Sequence, residues 1–407
     1  MTLKITGARI VLPDDVVETD LRIEDGLIDA IGTDAPAAQE IDGSGLILAP
    51  AMIDVHGDAF ERQIMPRPNV FFPMDAALLD TDRQLAANGI ATAYHALTLS
   101  WEQGLRSVER GRAMVEGLNA LHDRLTVENR IQLRWETFAF EAFGLMSDVL
   151  NAPLTPSIAF NDHTSMSMRA FDVPIQQREF EQSPDFSIAA LDDERLKIRN
   201  EGHAKRAGMT TDAYIAKLAE IWERRTGVDG AIRQVAALGR ECGAPMLSHD
   251  DTRVETRTYY RNLGAGIAEF PMTPEVAREA RANGDHIVFG APNVVRGGSH
   301  IGSPSAAEMV SEGLCDILAS DYFYPSMLAA VARLHDERRA PLHQLWGLVS
   351  SGPARASGLP DRGEIAAGKR ADLVLIDWPE GATPAVKMTL SAGRIAYQAS
   401  NGIHIAA

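Results

Sequence analysis

The segment PAMIDVHGDAFER, residues 50–62, contains two side chains that could bind a metal ion, His56 and Asp58. A short apolar run with strand character precedes them. Residues i and i+2 of a strand point to the same side, so these two side chains can converge just past the strand end, with Gly57 leaving room between them. An imidazole and a carboxylate placed in this way suit zinc, iron or manganese. Taken alone, the pattern also fits a strand that leaves the core into a polar turn.

Similar side chains recur at the ends of other apolar runs further along the chain. They are His95, Glu136, Asp162, His163, His249, Asp250, Asp251, Glu269 and Asp321. If the runs are parallel strands of one barrel, their carboxyl ends meet at one face, where active sites form. So many histidines and carboxylates at one face predict a metal centre rather than a set of unrelated polar turns.

Two ions about 3.5–4 Å apart would need a bridging ligand. None of the lysines, which often serve as such a bridge, ends one of the barrel runs. Glu136, after the run 131–135, is therefore the predicted bridge. The alternative is a structural carboxylate paired with Arg134, which lies two residues earlier on the same side of the strand.

The remaining ligands divide between the two ions. The first ion would be bound by His56, Asp58 and Asp321, and the second by His163 and His249. Asp321 would also accept the proton of the attacking water, as a general base must. The predicted cofactors are thus two divalent ions, each zinc, manganese or iron.

Substrate-binding residues are predicted in two loops and one strand. The loop 291–300 follows the seventh run, and its paired glycines and arginine offer donors that match phosphate. A second candidate is an arginine stiffened by flanking prolines, and a third is a histidine in the second run that could instead be buried and structural. For both loops the alternative is an ordinary glycine turn or a surface arginine. The predicted residues are Asn293, Arg296, Gly297, Gly298, His300, Arg67 and His95.

Apolar runs alternate with helical periodicity through the middle of the chain, which predicts an α/β fold with a (β/α)8 TIM-type barrel. The runs span residues 52–55, 90–97, 131–135, 157–160, 246–248, 267–270, 287–290 and 317–320. Helical patterns cover 76–88, 101–121, 231–241, 274–282 and 306–312.

Short strand patterns at both ends of the chain predict a second, smaller β unit. They lie at 3–10, 16–23, 27–31 and 46–49, and again at 364–365, 371–376, 385–390 and 394–397. Few strands without a helix bury little surface alone, so the two sets should pack together. The predicted domains are a composite β-sandwich of 1–50 and 358–407, and a barrel of 51–357 with a helical insertion at 165–226. The insertion would cap the site or contact a second subunit.

Composition limits the partners that the chain can bind. The 407 residues carry a net charge of −17, which argues against broad binding of nucleic acid or anionic membranes. No apolar run has transmembrane length, and the N-terminus lacks the pattern of a signal peptide. Cys242 and Cys315 are the two cysteines, and they are interpreted as reduced thiols of a cytoplasmic protein.

Several segments resemble the amidohydrolase superfamily, notably GLILAPAMIDVHGD at 45–58 and GEIAAGKRADLVLID at 363–377. Others resemble its diphosphatases of phosphonate breakdown, and these lie at 66–68, 134–136, 162–164, 248–251, 268–271, 290–300 and 320–322. The resemblance implies a metal-dependent hydrolase that releases pyrophosphate from a ribose 5-triphosphate. A small phosphorylated molecule would be the substrate, and a homodimer or higher homo-oligomer is expected.

The chain departs from that diphosphatase pattern at Gly57, at Ala59 and Phe60, and after Thr164. These positions adjoin the expected substrate region, so a cyclic amide or another C–N bond is the alternative substrate. A third hypothesis is a barrel that serves as a metal-free scaffold, which predicts purified protein without stoichiometric metal.

Overall fold

The computed structural model describes residues 2–168, 193–299, 302–399 and 405–406. Its N-terminal strands are β1 (Thr2–Val11), β2 (Val16–Glu24), β3 (Leu27–Ile31), β4 (Gln39–Asp42) and β5 (Ile47–Pro50). Strands β1, β2, β3 and β5 confirm the sequence prediction, whereas β4 was not predicted. Strand β4 is short and half exposed, so its apolar signal is weak.

Eight parallel strands follow and form a nearly closed barrel, as predicted. They are β6 (Met52–Gly57), β7 (Ile90–Leu99), β8 (Glu128–Glu136), β9 (Ser157–Asn161), β10 (Met246–His249), β11 (Ile267–Glu269), β12 (His286–Gly290) and β13 (Ile317–Ala319). All eight match the apolar runs of the sequence. This agreement follows from burial, because parallel barrel strands are covered on both faces and read as continuous apolar segments.

The barrel closes between its first and last strands. The Asp321 amide donates to the His56 carbonyl, and the Asp58 amide donates to the Asp321 carbonyl, each at 2.9 Å. The buried Asp54 carboxylate reinforces the seam, accepting bonds from the Ser320 amide at 3.0 Å and its hydroxyl at 2.5 Å. The seam therefore joins the candidate ligands of β6 to the candidate base after β13.

The chain ends with β14 (Leu373–Asp377), β15 (Ala385–Ser391), β16 (Arg394–Gln398) and β17 (Ile405–Ala406). In the described residues these strands join β1–β5 in one nine-stranded mixed sheet, in which β14 pairs antiparallel with β5. The two ends of the chain thus combine as predicted, although residues 364–365 form no strand. The exact domain boundaries at 50, 51, 357 and 358 stay a prediction.

Helices pack around the barrel and over its carboxyl face. They are α1 (Glu61–Ile64), α2 (Met74–Ala87), α3 (Val108–Ala120), α4 (Phe143–Leu150), α5 (His163–Met168), α6 (Asp193–Ala207), α7 (Thr211–Trp222), α8 (Arg225–Glu241), α9 (Val254–Asn262), α10 (Pro274–Ala282), α11 (Ala291–Arg296), α12 (Ala306–Ser311), α13 (Ser326–Asp336), α14 (Leu342–Gly347) and α15 (Ser351–Ala356). Short 3-10 helices span Gly104–Arg106, His122–Arg124 and Phe140–Ala142. Among the described residues, no helix is both long and apolar enough to cross a membrane.

The described part of the predicted insertion contains most of α5 and the helices α6 and α7. Helices α6 and α7 pack at the carboxyl face of the barrel, where Tyr214 donates to Glu102 at 2.6 Å and its ring lies 5.4 Å from that of Trp101. Burial opposes the charged form of Glu102, but His203 and Arg206 outweigh it and hold the pKa of that carboxyl at about 2. An ionised, buried carboxylate therefore fastens these helices to the barrel. Residues 169–192 of the insertion lie outside the described residues.

Candidate metal centre and substrate cavities

One buried carboxylate orients the two best placed histidines. Glu269, the last residue of β11, accepts from His56 Nδ1 at 3.0 Å and from His249 Nδ1 at 2.7 Å. Gln132 Nε2 adds a third bond at 2.8 Å. Burial disfavours the charged form of Glu269, yet the two histidines lower its pKa well below the usual range, so it is an ionised acceptor. Both imidazoles therefore donate from Nδ1, and in the neutral form each carries its lone pair on Nε2.

The two imidazole rings lie parallel across this carboxylate. Their centroids are 5.4 Å apart at an interplanar angle of 12°, and Phe270 packs edge-on against both. The Nε2 atom of His56 is buried and has no hydrogen-bond partner among the described residues. A buried nitrogen that carries a lone pair and no partner costs free energy unless a ligand reaches it. His56 therefore has the chemistry of a metal ligand.

Two carboxylates accompany His56. The ligand atoms of His56, Asp58 and Asp321 all lie within 4.8 Å of one another, so this group could hold one ion. Burial and the neighbouring charge of Asp58 raise the pKa of Asp321 to about 7. Such crowding of carboxylates is what a divalent cation would relieve, and the three residues fit the predicted first ion.

The backbone is strained just after three of the barrel strands, close to the candidate ligands. Asp250, Phe270 and Asp321, which follow or adjoin β10, β11 and β13, have positive φ angles of 57°, 54° and 54°. Non-glycine residues rarely adopt this conformation, and it is concentrated at functional sites. The strain turns Asp250 and Asp321 toward the same face of the barrel.

Close packing at this seam explains why position 57 is a glycine. A Cβ atom at this position would lie 2.5 Å from Asp54 Oδ2 and 3.1 Å from both Ser320 Oγ and a ring carbon of Tyr324. The buried contact between Asp54 and Ser320 would have to shift to admit any side chain. The departure from the diphosphatase pattern at this position is thus matched by the packing around it.

Arg134 lies between the two candidate ion positions. Its guanidinium approaches His249 Nε2 at 3.0 Å and Asp58 Oδ2 at 3.4 Å, while its Nε donates to Asn161 Oδ1 at 3.1 Å. The sequence alternative paired Arg134 with Glu136. The structure instead directs its hydrogen bonds to Asp58, Asn161 and His249.

Glu136 contacts His163 with both of its oxygens. One oxygen accepts from the His163 ring at Nδ1, and the other accepts from its backbone amide at 3.0 Å. Asp162 positions this histidine at the start of α5 by accepting from the Ser165 amide at 2.9 Å. The predicted bridging role of Glu136 is untested, and it stays a prediction. A second group that could bind an ion combines His163, His249 and Asp250.

Two cavities flank these ligands. The Arg296 cavity, about 180 Å³, borders His249, Asp250 and Asp321, and its wall includes the loop after β12. The Arg206 cavity, about 90 Å³, lies on the other side beside Glu136 and His163 and is bounded by α6 and α7. A substrate could thus reach the candidate centre from both sides.

The predicted substrate loop contributes unequally to the Arg296 cavity. Arg296 and Gly298 line it, and Arg296 is exposed with no bond to another described residue that would divert it from a ligand. Asn293 also borders it, but its amide is used structurally, bonding Pro304 and the Ala306 amide at the start of α12. Gly297, with φ of 80°, ends α11 and faces the guanidinium of Arg333 rather than the cavity. The predicted His300 lies outside the described residues.

His95 is not placed to bind substrate at this face. Its Nε2 contacts Asn129 at 2.7 Å, and Asn129 donates in turn to Asp82 of α2. Its side chain shares the outer face of β7 with Leu97 and Leu99, which pack in the core under the helices. These contacts favour the buried structural alternative for His95, and its role in substrate binding stays a prediction.

Arg67 is exposed in a turn in which the Val70 amide donates to its carbonyl at 3.0 Å. It lines neither of the two cavities.

A different arginine reaches the centre. Arg106 pairs with Glu61 at 2.8 and 3.0 Å and lies 4.0 Å from Asp58. The surface alternative for Arg67 fits the structure, and Arg106 was missed because its sequence context is an ordinary helical turn.

Comparison with known proteins agrees with this geometry. A model of the amidohydrolase family matches residues 231–397. The chain is also 32% identical over 377 residues to α-D-ribose 1-methylphosphonate 5-triphosphate diphosphatase of Escherichia coli (strain K12), covering 91% of this chain and 94% of that protein. The chain belongs to the amidohydrolase family. An allantoinase of Solibacter usitatus (strain Ellin6076) is 24% identical over 92% of this amidohydrolase and 84% of its own length.

Solved structures support the fold of this amidohydrolase. An adenosine deaminase from Xanthomonas campestris superposes with a TM-score of 0.61 at 12% identity, covering 97% of this chain and 92% of the other. At such identity the likeness concerns the fold alone. The fold and the family make the chain a metal-dependent hydrolase of the amidohydrolase superfamily, and the groups around His56 and His249 are its candidate metal ligands.

Proposed function

We propose that this amidohydrolase hydrolyses a phosphate anhydride, with α-D-ribose 1-methylphosphonate 5-triphosphate or a related phosphonate-ribose triphosphate as substrate. The products would be the 5-phosphate and pyrophosphate, within phosphonate breakdown. The observation that carries the proposal is the match to the Escherichia coli diphosphatase over 91% of the chain. The Arg296 cavity supports it, because an uncommitted arginine there lies beside the candidate metal ligands and can bind a phosphate group.

The side chains of the site divide the chemistry among them. When bound, a zinc, manganese or iron ion supplies Lewis acidity toward a phosphoryl oxygen and the attacking water. Asp321 borders the Arg296 cavity and takes the proton of that water at its carboxylate. Arg296 and Arg134 donate N–H groups to the phosphoryl oxygens as negative charge develops on the leaving pyrophosphate.

The alternative substrate is a cyclic amide, and two observations favour keeping it. The allantoinase relative covers 92% of the chain, although at only 24% identity. The Arg296 cavity also has apolar walls from Phe270, Met272 and Phe289, which a neutral ring could contact. The two arginines that line it, Arg134 and Arg296, and the higher identity of the diphosphatase favour the anhydride.

The deciding experiment measures pyrophosphate release from the ribose triphosphate, with manganese or zinc supplied, alongside ring opening of allantoin and a hydantoin. Pyrophosphate release supports the proposal, whereas ring opening without pyrophosphate contradicts it. Arg296→Ala should raise KM for the triphosphate by roughly 10–100-fold, since a charge-assisted hydrogen bond contributes about 1.5–3 kcal/mol. Arg83→Ala, an exposed position on α2, is the matched control and should leave KM unchanged.

We further propose that the enzyme acts in the cytoplasm as a homodimer or higher homo-oligomer. Cys242 and Cys315 are both free thiols in the structure, which is consistent with a reducing compartment. The described part of the insertion packs over the candidate centre, which supports the cap hypothesis for α6 and α7. Sedimentation of the purified protein would test the oligomeric state.

A further inference from the structure

The two histidines that share Glu269 differ at their other nitrogen. His56 Nε2 is buried and without a partner among the described residues, whereas His249 Nε2 lies 3.0 Å from a guanidinium nitrogen of Arg134. Since both Nδ1 atoms donate to Glu269, the neutral form of each imidazole has a single lone pair to offer, on Nε2. His56 can direct that lone pair to an ion, and His249 already accepts a hydrogen bond with it.

We propose that Arg134 takes the place of a second metal ion, so that the centre binds one divalent ion through His56, Asp58 and Asp321. This inference rests on the metal dependence of the proposed function and not on the identity of the substrate. It opposes the sequence prediction of two ions, which no comparison tests.

Asp58 can serve both cations, whereas His249 cannot. A carboxylate has two oxygens with several lone pairs, so Asp58 can bind an ion and still accept from Arg134, whose approach to Oδ2 is long at 3.4 Å. An imidazole with its Nδ1 proton committed has one acceptor site. Any ion held by His163, His249 and Asp250 would have to displace the Arg134 N–H group first.

Asn161 holds Arg134 in place, in addition to the contacts that Arg134 makes with Asp58 and His249. The Nε of Arg134 donates to Asn161 Oδ1 at 3.1 Å, and Asn161 Nδ2 is tied to the Ala159 carbonyl at 3.0 Å. The residue is only 7% exposed, and a guanidinium stays charged in proteins. Displacing it would break contacts with Asp58, Asn161 and His249 together and would leave a buried charge without partners.

The guanidinium also faces the substrate. Arg134 borders the Arg296 cavity together with Asp250 and Asp321, so it can contact an anionic group bound there. It would contribute a fixed positive charge and directed N–H donors where a second ion would contribute a larger charge and open coordination positions. The centre would therefore combine one exchangeable ion with one permanent cation.

The test is the metal content of the purified full-length protein after saturation with Mn2+ and removal of excess ion. Elemental analysis should give one ion per chain, and the electron paramagnetic resonance spectrum should be that of isolated Mn2+. Two ions, or the spectrum of an exchange-coupled pair, would overturn the proposal while leaving the metal-dependent function standing. Protein that retains no ion would contradict the metal dependence itself.

A variant series tests whether Arg134 is the cause. Arg134→Ala should release His249 Nε2 and raise the content from one ion to two, and adding His163→Ala should return it to one. Arg134→Met keeps the buried methylene chain and replaces the alanine variant if that variant does not fold. A content that stays at one in both Arg134 variants would show that the arginine does not exclude the second ion.

Discussion

Strand β8 carries ionised side chains at both ends, and the two ends differ in the balance of charge. At its start, the Glu128 carboxylate lies within 2.5–3.0 Å of nitrogens of Arg130, Arg362 and Arg370. At its end, one buried arginine, Arg134, lies among the carboxylates of the candidate centre. At the amino end Asp361 and Asp372 also pair with these arginines, so cations and carboxylates balance. At the carboxyl end the carboxylates outnumber the arginines that approach them, Arg134 and Arg106.

The pKa values follow this difference. Burial opposes ionisation of Glu128, but Arg362, Arg130 and Arg370 outweigh it and hold the pKa of that carboxyl at about 2. Burial and the charge of Asp58 act in the opposite direction on Asp321, whose pKa is raised to about 7. The amino end is therefore arranged to stabilise the fold and to join the barrel to the β14 region. The carboxyl end keeps unbalanced negative charge that a bound cation can neutralise.

The largest expected effect is a loss of kcat at the carboxyl end of β13, which a matched change at the amino end of the same strand should not cause. Asp321→Asn should lower kcat by about 10²–10⁴-fold, because the amide cannot accept the proton of the attacking water. Asp316, just before the same strand, contacts Arg281 at 2.8 Å and the Ile287 amide at 2.9 Å, so Asp316→Asn should lower stability and leave kcat unchanged. Steady-state kinetics and urea unfolding measure both variants. An Asp321→Asn enzyme with near-normal kcat would remove the proposed base.

The second prediction concerns the amino end of β8. Glu128→Gln should lower the free energy of unfolding by about 2–3 kcal/mol at pH 7, because it removes the carboxylate that Arg130, Arg362 and Arg370 share. Arg362 and Arg370 keep ion pairs with Asp361 and Asp372, whereas Arg130 loses its ion pair. Metal content should not change, since Glu128 lies at the opposite end of the strand from the centre. Urea unfolding and elemental analysis test the two statements separately. A loss of metal in this variant would mean that the two ends are coupled.

Burial explains how much of the fold was evident in the sequence. All eight barrel strands are buried on both faces and read as apolar runs, and the candidate ligands follow these runs directly. The same burial removes the alternation of polar and apolar residues that would show which face of a strand a side chain lies on. Every residue of β7 is buried, so no alternation of polar and apolar residues could show that His95 faces the helices.

The contacts that organise the centre are long-range, and no local pattern encodes them. Glu269 was recognised as a strand end, but its bond to His56 joins residues 213 positions apart. The contact between Arg134 and His249 spans 115 positions. Local spacing offered Glu136 as the alternative partner of Arg134, because spacing along one strand cannot represent contacts with residues at the ends of other strands of the barrel.

The third prediction tests the shared carboxylate that orients the two histidines. Glu269→Gln should weaken metal binding by roughly 10–100-fold, because an amide cannot accept from both imidazoles as an ionised carboxylate does. Titration with Mn2+ measures the affinity. Glu275→Gln, a solvent-exposed change on α10, is the control and should bind the ion normally. Unchanged affinity in Glu269→Gln would show that the carboxylate does not position the ligands.

The smallest effect is a pH dependence confined to the amino end of β8. The pKa of Glu128 is lowered in the folded protein, so its stabilising contribution is present above the unfolded pKa of 4.5 and is lost as the pH falls toward about 2. The difference in free energy of unfolding between wild type and Glu128→Gln should therefore shrink by about 1–2 kcal/mol from pH 7 to pH 3. Comparing the two proteins at each pH cancels the other acidic groups. A difference that stays constant over this range would mean that the arginines do not hold Glu128 ionised, and the contrast between the two ends of the strand would then lose its electrostatic basis.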